Sequence, residues 1–201
     1  MKENPMKIAV LALQGAFVEH EQMLRRLGAD VYEVRNLADW QKPKDGVVLP
    51  GGESTVQSQL LTQLGLLEPI RRDIIGGLPV LGTCAGLILL ARQEGGQLRT
   101  GLCTMDIDVV RNAYGRQLGS FHASSRLKGI EGEVPMTFIR APFVGKVLSP
   151  DVEVLAEVDG RIVAVRQHNQ IATAFHPELT DDLRLHRMFI DCVQAFSCSE
   201  K

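Results

Sequence analysis

The stretch LPVLGTCAGLILLAR, residues 78–92, decides the fold of this chain. An apolar run that enters a turn of small residues and then a second apolar run predicts a buried strand, a sharp turn and a helix. The turn has the G-x-nucleophile-x-G pattern of a nucleophile elbow, with Cys84 at its centre. Flanking glycines hold Cys84 at the carboxyl end of the strand, where the N-terminus of the helix favours a thiolate. The same pattern also fits an unreactive buried cysteine, since free cysteine is among the most buried residue types.

Composition predicts one soluble globular domain over residues 1–201, with an ordered core of about 7–196. A formal net charge of −2 with no basic cluster gives no sign of a nucleic-acid partner. The most apolar window, residues 78–91, is shorter than the roughly 18 residues of a membrane span, and the run 8–13 is too short for a signal peptide. The four cysteines lack C-x-x-C spacing, so we expect reduced thiols and a cytoplasmic protein.

The first half of the chain alternates strands with helices, which predicts a doubly wound α/β sheet. Continuous apolar runs predict strands over 8–13, 31–34, 46–49 and 78–81. Helices are expected from about Ala16 to Gly28, from Thr55 with Ser54 as its cap, and from near Pro69 to Gly76. After Gly101 short runs predict strands over 105–111, 119–125, 135–140, 152–158, 161–167 and 171–175, with a last helix over about 181–196.

A catalytic cysteine needs a base, and His176 is the best placed of the five histidines because it directly follows an apolar run. Glu178 lies two residues on and could orient the imidazole, as in a nucleophile–base–carboxylate triad. An ordinary hydrogen-bonded histidine at a strand end fits the same H-x-E pattern. The other histidines have no comparable partner and are interpreted as ordinary surface or helix-stripe residues; these are His20, His122, His168 and His186.

Thiolate attack on a carbonyl group creates an oxyanion, which requires amide donors at strand ends. The amide of Ala85 and the pair Gly51-Gly52 are the candidates, although the glycines also fit a simple tight turn. Arg111 and Arg140 end apolar strands and could bind a carboxylate, or could be solvated surface side chains. Neither H-E-x-x-H nor a glycine-rich phosphate loop occurs, so no metal site and no nucleotide site is predicted.

A set of short motifs occurs in order along the chain and closely resembles the class I, triad-type glutamine amidotransferases. Within that class the resemblance is to the glutaminase subunits of pyridoxal 5′-phosphate synthase, and it spans residues 7–196. The motifs are Leu11-Ala12-Leu13-Gln14-Gly15, Pro50-Gly51-Gly52-Glu53-Ser54, Gly82-Thr83-Cys84-Ala85-Gly86, Arg111-Asn112, Gly115-Arg116-Gln117, Phe138-Ile139-Arg140-Ala141-Pro142 and His176-Pro177-Glu178-Leu179-Thr180.

The resemblance implies a flavodoxin-like, three-layer α/β fold whose mainly parallel central sheet carries additional antiparallel strands. It implies hydrolysis of L-glutamine to glutamate and ammonia, with Cys84 as nucleophile, His176 and Glu178 completing the triad, and Ala85 and Gly52 as the oxyanion hole. In this family the Gly51–Gly52 peptide is thought to reorient when a partner docks. The residues implied to line the glutamine site are Gly52, Glu53, Ser54, Arg111, Ile139 and Arg140.

Ammonia would become ammonium in the cytosol, so its production is useful only if an acceptor site takes it up. The resemblance implies that the partner is the barrel-shaped, oligomeric synthase subunit, which uses the ammonia with ribose 5-phosphate and glyceraldehyde 3-phosphate to make pyridoxal 5′-phosphate. That compound is the product of the complex, and no cofactor is implied for this chain.

The chain departs from the family pattern at two places. Met1–Pro5 precedes the usual start near Met6, and His122 stands where an acidic residue is expected. Two other functions stay open. The chain could serve another synthase, such as that of imidazole glycerol phosphate, or it could be a non-catalytic flavodoxin-like module whose cysteine senses redox state.

Overall fold

The computed structural model describes residues 5–111 and 119–199. Asn112, Gly115, Arg116 and Gln117 of the quoted motifs, and Met1 to Asn4 of the departure at the N-terminus, lie outside the described residues. The helices are α1 (Phe17–Arg26), α2 (Leu37–Trp40), α3 (Ser54–Gln63), α4 (Leu67–Ile75), α5 (Ala85–Leu90) and α6 (Arg184–Ser199), and a 3₁₀ turn spans Pro177–Leu179. The strands are β1 (Lys7–Leu11), β2 (Asp30–Val34), β3 (Gly46–Leu49), β4 (Val80–Thr83), β5 (Ala91–Glu94), β6 (Gln97–Leu98), β7 (Met105–Val110), β8 (Ser120–Arg126), β9 (Glu133–Ile139), β10 (Phe143–Val147), β11 (Val152–Val158), β12 (Arg161–Gln167) and β13 (Gln170–Thr173).

A parallel sheet with the strand order β2-β1-β3-β4-β13 forms one half of the central layer. This is the order of flavodoxin-like doubly wound folds, in which ligands bind outside the carboxyl ends of the strands next to the point where the order reverses. Strands β1, β3 and β4 are almost entirely buried, as their continuous apolar runs require. The predicted α/β fold with a parallel central sheet is confirmed.

Antiparallel strands extend this sheet beyond β13 in the order β12-β10-β7-β5-β6, with β11 paired to β12. Only β5 and β7 of this extension run parallel to each other. Over the described ranges the sheet has eleven strands, and β8 and β9 form a separate antiparallel pair. The Asp159-Gly160 turn joins β11 to β12 as a hairpin, as the sequence predicts.

Several element boundaries differ from those predicted. Ser54 does not cap α3, because the helix begins at Ser54 itself and the preceding Glu53 makes no capping side-chain hydrogen bond. Helix α4 begins at Leu67, two residues before Pro69, and α6 begins at Arg184 and not near 181. The short elements α2, β5, β6 and β10 were not predicted, because runs of two to five residues show little periodicity.

The elbow packs tightly against the neighbouring strand because Gly86 has no side chain. A Cβ atom on Gly86 would overlap the main-chain carbonyl of Leu49 at the end of β3. Helix α5 therefore lies close against the end of β3, which brings the loop that follows β3 next to Cys84. None of the helices in the described ranges is long and apolar enough to cross a membrane.

We predict that Gly86→Ala lowers the free energy of unfolding by about 3 kcal/mol, at the upper end of the cost of overpacking, because main-chain atoms of Leu49 have to move. Urea unfolding followed by circular dichroism measures the change. Gly119→Ala is the matched control, since a Cβ atom there meets no atom of the described residues within 4 Å. Equal stabilities of the two variants would contradict this account of the elbow.

Candidate active site

An open cavity of about 360 Å³ lies where β1, β3 and β4 end. It brings together the predicted nucleophile, the predicted base and every residue predicted to bind substrate. Ala85 and Glu178 are buried and do not line it. The residues around the cavity are Gln14, Gly52, Glu53, Ser54, Cys84, Ile88, Arg111, Ile139, Arg140, Pro142 and His176.

Cys84 stands in a strained conformation between β4 and α5. Its φ of 49° and ψ of −96° lie in a region that residues with a side chain rarely adopt, at a cost of about 1–3 kcal/mol. The amide of Cys84 donates to the carbonyl of Thr173 at 2.8 Å, so β13 holds the elbow from its other side. The cysteine is 7% exposed and lines the cavity, as expected for a nucleophile elbow.

His176 and Glu178 form a hydrogen-bonded pair behind Cys84. Nδ1 of His176 lies 2.7 Å from Oε1 of Glu178, which leaves Nε2 for the sulfur. The amide of His176 donates to the carbonyl of Thr137 in β9 at 2.8 Å. The sequence predicts this pair from an extended chain, but a 3₁₀ turn over Pro177–Leu179 brings the two side chains together.

Both members of the pair are held in their charged forms. Burial lowers the pKa of His176, but hydrogen bonds to Cys84 and Glu178, together with the charges of both partners, outweigh burial and raise the pKa to about 10. Burial raises the pKa of Glu178, yet the nearby His20 and the hydrogen bond from His176 leave the pKa below its usual value. Glu178 is therefore a carboxylate at neutral pH.

His20 and His186 lie on the buried sides of α1 and α6, so the surface interpretation and the expectation that they have no comparable partner are wrong. Both side chains are completely buried. Nδ1 of His20 lies 2.9 Å from Nε2 of His186, and Nε2 of His20 lies 3.1 Å from the hydroxyl of Thr83 and 3.2 Å from Oε2 of Glu178. No local sequence pattern reveals these contacts, because they join α1, α6, β4 and the 3₁₀ turn.

Burial lowers the pKa of both histidines. For His20, the Glu178 carboxylate partly offsets the lowering of the pKa. For His186, the His20 ring lowers the pKa further, to about 3. Both rings are thus neutral at physiological pH. The buried histidines differ from His168, which is exposed, and from His122, whose Nδ1 lies 3.1 Å from the hydroxyl of Thr137.

Gly51 and Gly52 pass directly beside the catalytic residues. A Cβ atom on Gly51 would overlap the His176 ring, so only glycine fits there. The amide of Gly51 donates to the Thr83 hydroxyl at 3.0 Å, and its carbonyl accepts from the amide of Ala16 at 3.1 Å. Because the Gly51–Gly52 peptide is trans, the amide of Gly52 points away from Ala16.

Two glutamines fix this loop against the end of β1. The amide of Glu53 donates to Oε1 of Gln14 at 2.7 Å. Nε2 of the buried Gln57 donates to the carbonyl of Gln14 at 2.9 Å and to that of Pro50 at 3.2 Å. Gln14 also lines the cavity. It was not predicted as a site residue, although it lies in the first quoted motif.

Charged side chains surround the entrance of the cavity. Nε of Arg111 lies 2.7 Å from Oε1 of Glu94, and its Nη1 donates to the hydroxyl of Thr55 at 3.1 Å. Arg140 lies on the other side with a φ of 44°, and its Nη2 is 3.7 Å from Oε1 of Glu53. The cavity thus combines a nucleophile at its base with cationic and anionic groups at its entrance. In the described parts of the chain, no group of three or more His, Cys, Asp or Glu side chains is placed to hold a metal ion.

Known proteins resemble this chain in sequence and in fold. The family model of the SNO glutamine amidotransferases matches residues 10–195. Two curated relatives are named pyridoxal 5′-phosphate synthase subunit PdxT. That of Desulfitobacterium hafniense is 51% identical over 199 residues, 98% of this chain and 99% of the relative. That of Methanocorpusculum labreanum is 56% identical over 189 residues, 94% and 98% of the two chains. A solved glutamine amidotransferase structure is similar with a TM-score of 0.85 and 41% identity over 93% of this chain and 98% of that one.

We predict that Glu178→Gln lowers the pKa of His176, because the variant loses the carboxylate charge and its hydrogen bond. NMR of ¹⁵N-labelled histidine follows the titration. Glu131→Gln, which removes a carboxylate from an exposed position, is the control and leaves the midpoint unchanged. An unchanged midpoint in Glu178→Gln would contradict the assigned pairing.

We also predict that acid destabilises the folded chain through His186. Its folded pKa of about 3 lies below the ordinary value of 6.5, so between these values the unfolded chain binds a proton that the folded chain does not. The free energy of unfolding therefore decreases as the pH is lowered, by up to about 1.4 kcal/mol per pH unit. His186→Gln keeps an amide donor for His20 but cannot titrate, and urea unfolding near pH 7 and pH 5 should show a smaller loss. Equal losses in both proteins would contradict the prediction.

Proposed function

The chain belongs to the SNO glutamine amidotransferase family, and on that premise we propose that it is the glutaminase subunit of a pyridoxal 5′-phosphate synthase. It hydrolyses L-glutamine to L-glutamate and ammonia and delivers the ammonia to a synthase subunit. The observation that carries the proposal is that Cys84 and His176 line a single cavity, with Glu178 hydrogen-bonded to His176. Relatives named PdxT over nearly the full length of the chain support the choice of synthase.

The reaction begins with attack of the Cys84 thiolate on the side-chain amide carbon of glutamine. The carbon–sulfur bond forms as the carbonyl electron pair moves to oxygen, which gives a tetrahedral intermediate. Amides of Ala85 and Gly52 are the proposed donors to this oxyanion. Ala85 begins helix α5, so its amide has no partner within the helix and is available to the oxyanion.

His176 then transfers its Nε2 proton to the departing nitrogen, the carbon–nitrogen bond breaks, and ammonia leaves a γ-glutamyl thioester on Cys84. Neutral His176 next removes a proton from water, and the hydroxide adds to the thioester carbon. Collapse of this second intermediate expels the thiolate and leaves His176 as the imidazolium, and the γ-carboxylic acid formed loses its proton to solvent and departs as glutamate. Glu178 stays ionised throughout, holding Nδ1 of the ring at 2.7 Å and stabilising its charged form.

The charged groups at the entrance fit the two ends of an amino acid. Arg111 or Arg140 would bind the α-carboxylate of glutamine, since guanidinium groups pair with carboxylates in fork geometry. Glu53 would bind the α-ammonium group, while Ser54 and Ile139 complete the proposed glutamine site. These contacts would place the side-chain amide toward Cys84, at the other end of the cavity.

A partner is required because free ammonia is protonated in the cytoplasm, where we place the protein. We propose that the acceptor is the oligomeric, barrel-shaped synthase subunit, which combines ammonia with ribose 5-phosphate and glyceraldehyde 3-phosphate. A reorientation of the Gly51–Gly52 peptide on docking would break the hydrogen bond from the Ala16 amide to the Gly51 carbonyl. Docking of the partner would therefore act on the site by breaking this hydrogen bond.

We predict that Cys84→Ala abolishes glutamate production by the complex, because no thioester can form, while the chain still folds and binds the synthase subunit. Glutamate is measured with and without that subunit. Cys198→Ala, at an exposed position on α6, is the control and keeps wild-type turnover. Wild-type turnover in Cys84→Ala would contradict the proposal.

The redox-sensor alternative makes a different prediction. A glutamine-mimicking diazo-ketone should alkylate Cys84 selectively, and excess L-glutamine should protect it, because the reagent has to occupy the substrate site. Peptide mapping by mass spectrometry locates the adduct. Reaction with peroxide without reaction with the diazo-ketone would favour the sensor. Pull-down with candidate synthase barrels distinguishes this partner from the synthase of imidazole glycerol phosphate.

A further inference from the structure

His20 occupies a position between the two halves of the proposed catalytic machinery. It lies on α1, its side chain has no exposed surface, and none of the steps above uses it. Nε2 of the ring contacts Glu178 and Thr83, and Nδ1 contacts His186. A completely buried imidazole with three polar neighbours has a defined hydrogen-bonding role.

The contacts select one tautomer of the His20 ring. Oε2 of Glu178 can only accept, so a proton on Nε2 of His20 turns the 3.2 Å contact into an attraction. With the proton on Nδ1, two lone pairs would face each other across that distance. His20 therefore carries its proton on Nε2 and accepts from Nε2–H of His186 through Nδ1. This arrangement leaves Nδ1 of His186 as an acceptor, and that atom has no partner among the described residues.

The Nε2 proton of His20 lies beside the oxygen atom of Glu178 that no hydrogen bond satisfies. Oε1 of the carboxylate is bound by His176, whereas Oε2 is buried and has no hydrogen-bond partner within the described chain. Its polar contact is with Nε2 of His20, at 3.2 Å. A neutral donor beside Oε2 stabilises the carboxylate without adding a second positive charge that would compete with His176. Burial keeps His20 neutral by lowering its pKa.

Thr83 connects the same ring to the glycine loop. Its hydroxyl accepts the Gly51 amide at 3.0 Å and lies 3.1 Å from Nε2 of His20. Thr83 directly precedes Cys84, so the threonine joins the elbow, the glycine loop and α1 at one oxygen atom. A change in the His20 ring would thus reach both the base and the proposed oxyanion hole.

We propose that His20 is a positioning residue of the glutaminase reaction, whose Nε2–H holds Oε2 of Glu178 and the Thr83 hydroxyl and so fixes the triad and the Gly51–Gly52 loop together. This inference rests on the proposed function. The titratable groups that face Glu178 and His20 are His176, His186 and, next to His20 on α1, Glu19. One step further away, Cys84 acts on His176 and Asp182 acts on His186.

Two substitutions separate the two ring nitrogens. The amide nitrogen of glutamine reaches the position of Nε2, whereas that of asparagine reaches only the position of Nδ1. His20→Gln should keep kcat of the complex within a few-fold, and His20→Asn should lower kcat about tenfold to a hundredfold, the range for a lost hydrogen bond to a charged group, with little change in KM. In His20→Asn the acid limb of the pH profile should move to higher pH, because Glu178 loses a donor and binds a proton more readily.

Leu24→Val is the structural control, because Leu24 lies one turn along α1 and is equally buried. It should lose stability with no shift in the pH profile. Equal losses of kcat in His20→Gln and His20→Asn, or an unshifted acid limb in His20→Asn, would overturn the proposal.

A measurement without turnover keeps this test separate from that of the proposed function. In ¹⁵N-histidine spectra of the wild-type chain near pH 7, His20 should be neutral with its proton on Nε2. In a Cys84→Ser background, His20→Asn should raise the titration midpoint of the Glu178 carboxyl group, followed by NMR of ¹³C-labelled glutamate, by about 1 pH unit or more, and His20→Gln should not. A proton on Nδ1, or an unchanged midpoint, would overturn the inference even if the enzyme is active. A wild-type complex that makes no glutamate would end the proposed function and leave these spectra to decide the role of His20.

Discussion

The carboxylate of Glu178 has no exposed surface, and a buried charge destabilises a fold unless each of its oxygen atoms meets a donor or a positive charge. His176 meets one oxygen and His20 meets the other. This requirement also bears on the nucleophile, because the His176 ring that Glu178 keeps charged faces Cys84. The stability of the core and the protonation of the site therefore depend on the same contacts.

The central sheet fixes the positions of the residues that make these contacts. Strands β1, β3, β4 and β13 run parallel and are paired in direct succession, so the segments that follow all four of them meet at a single edge of the sheet. Residues without side chains allow these segments to approach one another, as Gly86 does against Leu49 and Gly51 against His176. The strain at Cys84 is held by the hydrogen bond to Thr173 and by the packing of α5, and it directs the thiol into the cavity.

The sequence predicts the parts of this arrangement that short motifs encode. The elbow at Cys84 and the H-x-E pair could be recognised because each lies within a few residues of chain, although H-x-E adopts a 3₁₀ turn where an extended chain was expected. His20 escaped prediction since its partners are far away in sequence, Glu178 by more than 150 positions, and only the folded sheet brings them together. Strands such as β10 were missed for a related reason: a run of five residues with a glycine at its centre carries too little periodicity, and its pairing with β7 is long-range.

The central claim is that the thiol of Cys84 becomes covalently bound to the substrate during turnover. The most direct measurement is acid quenching of the glutamine-loaded complex within a single turnover, followed by mass spectrometry of the proteolytic peptides. The account predicts a transient γ-glutamyl thioester on the peptide containing Cys84, which decays as glutamate appears. Formation of glutamate without this adduct, or an adduct on any other residue, would contradict it.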